Sequence, residues 1–103
     1  KYLQLLLTVT TIICMDITFD PTKNETNIAK HGVSLALAAQ LDWSDVLSYV
    51  DDRRDYSEVR EVGFGVIGDR LYCVVFTQRG DSMHIISMRK ANKREVKSYV
   101  EQA

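Results

Sequence analysis

Residues 71–99 read LYCVVFTQRGDSMHIISMRKANKREVKSY, and the fold turns on this stretch. Leu71, Cys73 and Val75 alternate with Tyr72, Val74 and Phe76, and both sets are apolar. A run that is apolar on both faces predicts a strand inside a sheet rather than a half-exposed one. Residues 78–82, with Gly80 and Asp81 at their centre, have the loop chemistry that closes hairpins. Residues 83–88 resume a strand. Asn92, followed three positions later by Glu95, can form a reciprocal cap in which each side chain bonds the other residue's backbone amide, so a helix is expected to start there.

Charge is laid over this frame. Arg89, Lys90, Lys93, Arg94 and Lys97 put five cations into nine residues, against the single acid Glu95. Arg79 sits in the turn, at the other end of the second strand from Arg89. Guanidinium and ammonium groups gathered beside a sheet suit a phosphate backbone. A solvated helix face has the same composition, and the rest of the chain must decide between the two.

Before this stretch, residues 60–67 read as a strand with Val62, Phe64 and Val66 on one face. Gly68-Asp69 is a two-residue turn of the glycine-first kind that leads into residue 71. Residues 51–58, DDRRDYSE, form the most polar stretch and read as an exposed loop. Residues 46–50 alternate as a strand, and Trp43 to Asp45 as a turn before it. Residues 16–19 are a first short strand. Asp20-Pro21 then opens a helix, because the aspartate accepts from free amides and proline is tolerated in the first turn. That helix closes at Gly32. Ser34 caps a second helix, 35–41, expected to bury Leu35, Ala38, Ala39 and Leu41. The order is strand, helix, helix, four strands, helix, which is α+β: two N-terminal helices on an antiparallel sheet of four to five strands, with a C-terminal helix.

With 103 residues and a formal net charge of −1, this is one small domain, and any anion-binding surface is a local patch. The two cysteines, Cys14 and Cys73, have no metal-ligand spacing, so a reducing, cytoplasmic setting is expected and no disulfide. No zinc, phosphate-loop or dinucleotide motif occurs, so no metal and no cofactor are expected. Residues 1–14, KYLQLLLTVTTIIC, are apolar but too short and threonine-rich to span a bilayer as a helix, and no small-residue cleavage site precedes Met15. Their β-branched end also suits an edge strand. They are read as an extension outside a native domain of residues 15–103, with Met15 the natural start.

Two segments together carry a resemblance. The first is Phe19-Asp20-Pro21-Thr22-Lys23, then Asn27, then Lys30-His31-Gly32-Val33. The second is Thr77-Gln78-Arg79-Gly80-Asp81, then Ile85-Ile86-Ser87-Met88-Arg89-Lys90-Ala91, then Glu95 and Tyr99. Asp52-Arg53 and Glu58-Val59-Arg60 fall between them. In this order and spacing, residues 16–99 resemble the BrnT family, the toxin half of BrnT–BrnA type II toxin–antitoxin systems of bacteria. The resemblance implies a RelE-like fold and a ribonuclease that arrests translation. It also implies neutralisation by a BrnA-like antitoxin with a DNA-binding domain, so that operator DNA is reached only through the antitoxin. Two departures stand out: His84 occupies a position where relatives often carry arginine, and Trp43-Ser44-Asp45 stands where they tend to have an Asp-Pro turn.

RNA cleavage without a metal requires deprotonation of a ribose 2′-hydroxyl, stabilisation of the phosphorane and protonation of the leaving oxygen. Arg79 and Arg89 are the candidates for holding the phosphorane, with Lys90 in support. They bracket one groove only if the sheet curls or the last helix folds over it. His31 and Tyr99 are candidates for proton transfer, although a helix-ending histidine and a core tyrosine with a wet tip fit the same positions. His84 is a further candidate whose face depends on one register step. Glu95 reads chiefly as the cap partner of Asn92. Lys30, Arg53, Arg60, Lys90 and Lys93 are candidates for binding RNA. A rival reading is a non-catalytic module whose cationic patch docks an acidic partner segment or nucleic acid.

Overall fold

The structure, a computed structural model, describes residues 16–102. The N-terminal extension and the start at Met15 lie outside the described residues. Among the described residues nine elements follow one another: β1 (Asp16–Phe19), α1 (Pro21–His31), two 3-10 turns (Leu35–Gln40 and Trp43–Asp45), β2 (Leu47–Val50), β3 (Glu61–Ile67), β4 (Arg70–Arg79), β5 (Ser82–Lys90) and α2 (Lys93–Gln102). The strands form one sheet in the order β1-β5-β4-β3-β2. The doubly apolar run lies in the central strand, β4, as expected. Gly68 and Gly80, at φ +63° and +58°, take the first positions of the two tight hairpins, a backbone state other residues adopt at a cost.

Two expectations need correction. The sheet is not wholly antiparallel: β1 lies parallel to β5, with Asp16 opposite Ser82 and Phe19 opposite Ile85. Consecutive strands β1 and β2 therefore occupy opposite edges, and α1 with the 3-10 turns carries the chain between them across one face. The expected second α-helix is a 3-10 helix. Leu35, Ala38 and Leu41 are buried at intervals of three, which suits a helix of three residues per turn, while Ala39 is exposed. Its first amides are taken by side chains rather than by a helical ladder: Leu35 N–H donates to Asn24 Oδ1 at 2.7 Å and Ala36 N–H to Ser34 Oγ at 3.2 Å.

The core lies between this layer and the sheet. Leu35, Ile85, Met88 and Val74 are fully buried, and Trp43 meets Phe76 edge-on with ring centroids 4.9 Å apart. The layer sits so close to β3 that a Cβ on Gly63 would approach Val46 to 2.7 Å, and one on Gly65 would approach Leu41 to 2.7 Å. Val46, expected to begin a strand, packs here instead, and β2 begins at Leu47.

β5 settles which side chains reach the other face. Met83 and Ile85 point into the core, and strict alternation would send residue 89 there as well. Val75 pairs with Ser87 but Phe76 pairs with Ile85, so Ile86 is an extra residue in the strand, a bulge. Beyond it the parity is reversed, so that Met88 enters the core and Arg89 lies opposite Cys73 on the second face. Where β1 no longer covers β5, Asn27 does: its amide donates to Met88 C=O at 2.8 Å and accepts from Met88 N–H at 3.2 Å. The buried asparagine replaces the missing strand and fixes α1 alongside β5.

Candidate active site

The second face of the sheet carries the charged residues in two groups. At the hairpin end, Arg79 forms a two-point ion pair with Glu58, Nε to Oε2 at 2.9 Å and Nη2 to Oε1 at 2.7 Å. The pair holds Glu58 below the usual carboxylate range, the Arg79 hydrogen bond being the main cause, and raises the guanidinium in turn. Beside it, His84 is opposite Thr77 on one side and Thr18 on the other, with its Nδ1 2.9 Å from Thr18 Oγ1. Removal from water, and then the Arg79 cation, hold His84 below the ordinary histidine range. Thr77 is buried and donates its hydroxyl to Val59 C=O at 2.6 Å, which ties the loop before β3 onto this face. Arg60 lies over the Tyr56 ring, 4.1 Å from its centroid, and its charge also lowers Glu58.

At the α2 end, Arg89 forms a two-point pair with Glu95, Nη1 to Oε1 at 2.7 Å and Nη2 to Oε2 at 2.8 Å. The same carboxylate accepts from Asn92 N–H at 2.9 Å, and Asn92 Oδ1 accepts from Glu95 N–H at 2.8 Å. The expected reciprocal cap is therefore present, and Glu95 also latches α2 to the sheet. The Arg89 hydrogen bond is the main cause of the lowered Glu95 carboxyl. Arg53 pairs in the same two-point manner with Asp51, at 2.8 and 2.9 Å. Asp51 is buried while Arg53 is 77% exposed in its side chain, and the pair draws Asp51 down to about 2. A depression of about 440 Å³ opens between these pairs, with Tyr49, Val62, Cys73 and Ser87 in its lining. Cys73 is a free, buried thiol whose pKa is raised by burial.

Of the residues singled out in sequence, Arg79 and Arg60 fall at the hairpin end and Arg89 at the α2 end. Arg53 lies between them, its partner Asp51 donating its amide to Arg60 C=O at 2.7 Å and both lining the depression with Arg89. Arg79 faces Ser82 across the hairpin whereas Arg89 faces Cys73, so they stand six residue steps apart along β4, about 20 Å of strand. The two arginines do not grip one phosphate. Tyr99 is half-buried in a separate hollow of about 340 Å³ between α2 and β2, lined by Leu47, Phe64 and Glu95 among others. Lys30 and His31 end α1. Since Phe19 lies opposite Ile85 and Asn27 against Met88, that last turn lies toward the Lys90 end of β5, away from Arg79. Lys90 is exposed opposite Tyr72, and Lys93 is exposed in the first turn of α2.

Sequence reasoning left His84 unplaced and missed the acids that orient the arginines. His84 was ambiguous because strand parity depends on the bulge, which no residue type announces. Glu58 and Asp51 lie 21 and two residues from their partners, and only the register brings Glu58 beside Arg79. Among the described residues, no three His, Cys, Asp or Glu side chains converge as metal ligands, and no helix is long and apolar enough to cross a membrane.

A sheet packed on one face, with cations held in place by carboxylates on the other, defines an α+β domain with an ordered cationic surface. Residues 19–95 match the family model described as ribonuclease toxin, BrnT, of type II toxin-antitoxin system. The crystal structure of the Brucella abortus ribonuclease toxin BrnT is similar at 32% identity, over 77% of this chain and 99% of that one, with a TM-score of 0.56. No curated protein matches significantly. The chain belongs to the BrnT family of ribonuclease toxins of type II toxin–antitoxin systems. A cognate antitoxin and an RNA substrate follow from that membership.

Proposed function

We propose that the second face of the sheet binds and cleaves single RNA strands without a metal, and that cleavage arrests translation in the cytoplasm. The observation that carries this reading is the row of three arginines, Arg79, Arg89 and Arg53, each held at two points by a carboxylate. Such pairs fix the guanidinium plane in advance, and a planar fork suits a phosphate oxygen pair. Groups about 20 Å apart address phosphates several nucleotides apart, so Arg79 and Arg89 act on one strand at two places. Lys93 beyond Arg89, and Arg60 beside Arg79, extend the cationic track, whereas Lys90, paired with Tyr72, takes the opposite face of the sheet. His31, Lys30 and Tyr99 lie off this track and serve it only if the RNA passes beyond the sheet.

Neutralisation by a BrnA-like, DNA-binding antitoxin and a RelE-like mode of action complete the reading. Both rest on family membership, as does the assignment of residues 15–103 as the toxin domain. The test is incubation with bulk RNA in EDTA beside an Arg79→Ala/Arg89→Ala double variant. Cleavage by the parent, leaving 2′,3′-cyclic phosphate ends, and none by the variant is the expected result. Equal cleavage by both would overturn the placement of the site.

A further inference from the structure

Transesterification of RNA needs a base for the ribose 2′-hydroxyl, and the hairpin end of the cationic face holds a group shaped for that task. His84 sits in register between Thr18 of β1 and Thr77 of β4, so its ring is flanked on both sides by short polar residues. Its Nδ1 is 2.9 Å from Thr18 Oγ1, which orients the imidazole and leaves Nε2 for a substrate. Arg79 lies two residues beyond Thr77 on the same face. Glu58 engages its Nε and Nη2, leaving Nη1 for an anion. The α2 end has an arginine of the same design, Arg89, but no histidine. His31, the other one in the chain, ends α1 away from Arg79.

We propose that His84, oriented by Thr18, is the general base for RNA cleavage, acting on a nucleotide whose 3′-phosphate rests on Arg79. This rests on the ribonuclease reading above and assigns the reacting centre within it. With Nδ1–H donated to Thr18 Oγ1, Nε2 takes the proton of the 2′-hydroxyl. The 2′-oxygen then bonds to phosphorus, and the bond from phosphorus to the 5′-oxygen breaks. The 5′-oxygen leaves with its electron pair and takes a proton from water, while His84 returns its own to solvent. The products are a 2′,3′-cyclic phosphate and a free 5′-hydroxyl, with no oxidant or co-reactant. A base must be unprotonated at the working pH, and the surroundings of His84 favour this. Burial and Arg79 disfavour its cation, as does Lys23 from α1. Glu58, from the loop before β3, and Asp20, at the α1 cap, act in the opposite sense.

The experiment compares the parent with His84→Ala and Thr18→Val, on synthetic RNA and on messages in a cell-free translation extract. Single-turnover rates are followed from pH 5 to 8, and binding is measured with a 2′-O-methyl RNA that cannot be cleaved. The parent rate rises with pH through an inflection below the ordinary histidine value and then levels. His84→Ala loses about 100-fold or more at pH 7 and loses that rising limb. It binds the uncleavable RNA as the parent does, which shows that it is folded, and added imidazole restores part of its rate. Thr18→Val falls less, with its inflection moved. A His84→Ala protein that cleaves like the parent, with the same pH profile, overturns the assignment and leaves the ribonuclease reading standing. A parent inert in both formats overturns both.

Discussion

The two ends of the cationic face use one device in two settings. At the hairpin end the Arg79–Glu58 pair is about half exposed on both sides, 50% and 45%, and a histidine stands beside it. At the α2 end the Arg89–Glu95 pair is more enclosed, 37% and 20%, and its carboxylate also caps a helix. Arg79 is oriented but free to exchange partners with solvent or an anion. Arg89 is oriented by a residue that has a second structural duty, so an anion arriving there competes with the latch of α2. An arginine of fixed geometry is therefore not by itself a sign of catalysis. What sets the ends apart is which of them also holds a proton acceptor.

The largest expected effect separates the ends directly. Arg79→Ala is expected to lower the single-turnover rate by about 100-fold or more, as loss of a transition-state contact does. Arg89→Ala is expected chiefly to raise KM, by about 10-fold, as loss of a charge-assisted contact made equally in ground and transition states does. Equal losses in rate for the two variants would break the comparison. A smaller effect sharpens it. Glu95→Gln keeps a capping side chain but gives up the ion pair, so stability falls by about 0.5–1 kcal/mol in a denaturant melt. The same variant releases Arg89 and is expected to bind uncleavable RNA more tightly. Weaker binding would show that the latch itself shapes the surface.

Last comes a pH dependence of the Asp51–Arg53 pair, which lies between the two ends. Asp51 has its carboxyl drawn down to about 2 by Arg53 in the folded protein, against about 3.8 for a free side chain. Its contribution to stability is therefore complete above the unfolded value and disappears as pH falls through the folded one. Thermal melts of the parent and Asp51→Asn should differ at pH 5 and draw together between pH 4 and pH 2. A constant difference across that interval would remove the pair from the account of the cationic face.

Much of the frame was legible in residue order. The doubly apolar run at residues 71–76 placed the central strand, the two Gly-Asp turns placed the hairpins, and Asn92 with Glu95 placed the last helix. What escaped has a common physical cause, which is that it depends on counting rather than on residue type. The 3-10 helix shows in the spacing of Leu35, Ala38 and Leu41, a period of three that is easily taken for a short α-helix. The parallel pairing of β1 is set by where α1 lies, and that is fixed by one buried asparagine against Met88. The site suffered most. Its arginines were visible as charge, but which of them share an end of the sheet is a matter of register.

Ile86 gives that register an unusual kind of inheritance. Replacing it alters one half-buried side chain, and deleting it would leave a regular ladder in which Ser87 follows Ile85 and every later residue of β5 keeps its partner and its face. Were the ladder instead to run straight through Ile86, Ser87 would meet Val74, Met88 would turn to the second face and Arg89 toward the core, and the attachment of α2 would go with it. The strand thus carries information in its length as well as its letters, much as a coding frame does. Within β5, drift by exchange leaves the cationic face in place, and so does loss of the bulged residue, while a residue that the ladder absorbs without a bulge exchanges the wet side of the molecule for the dry one.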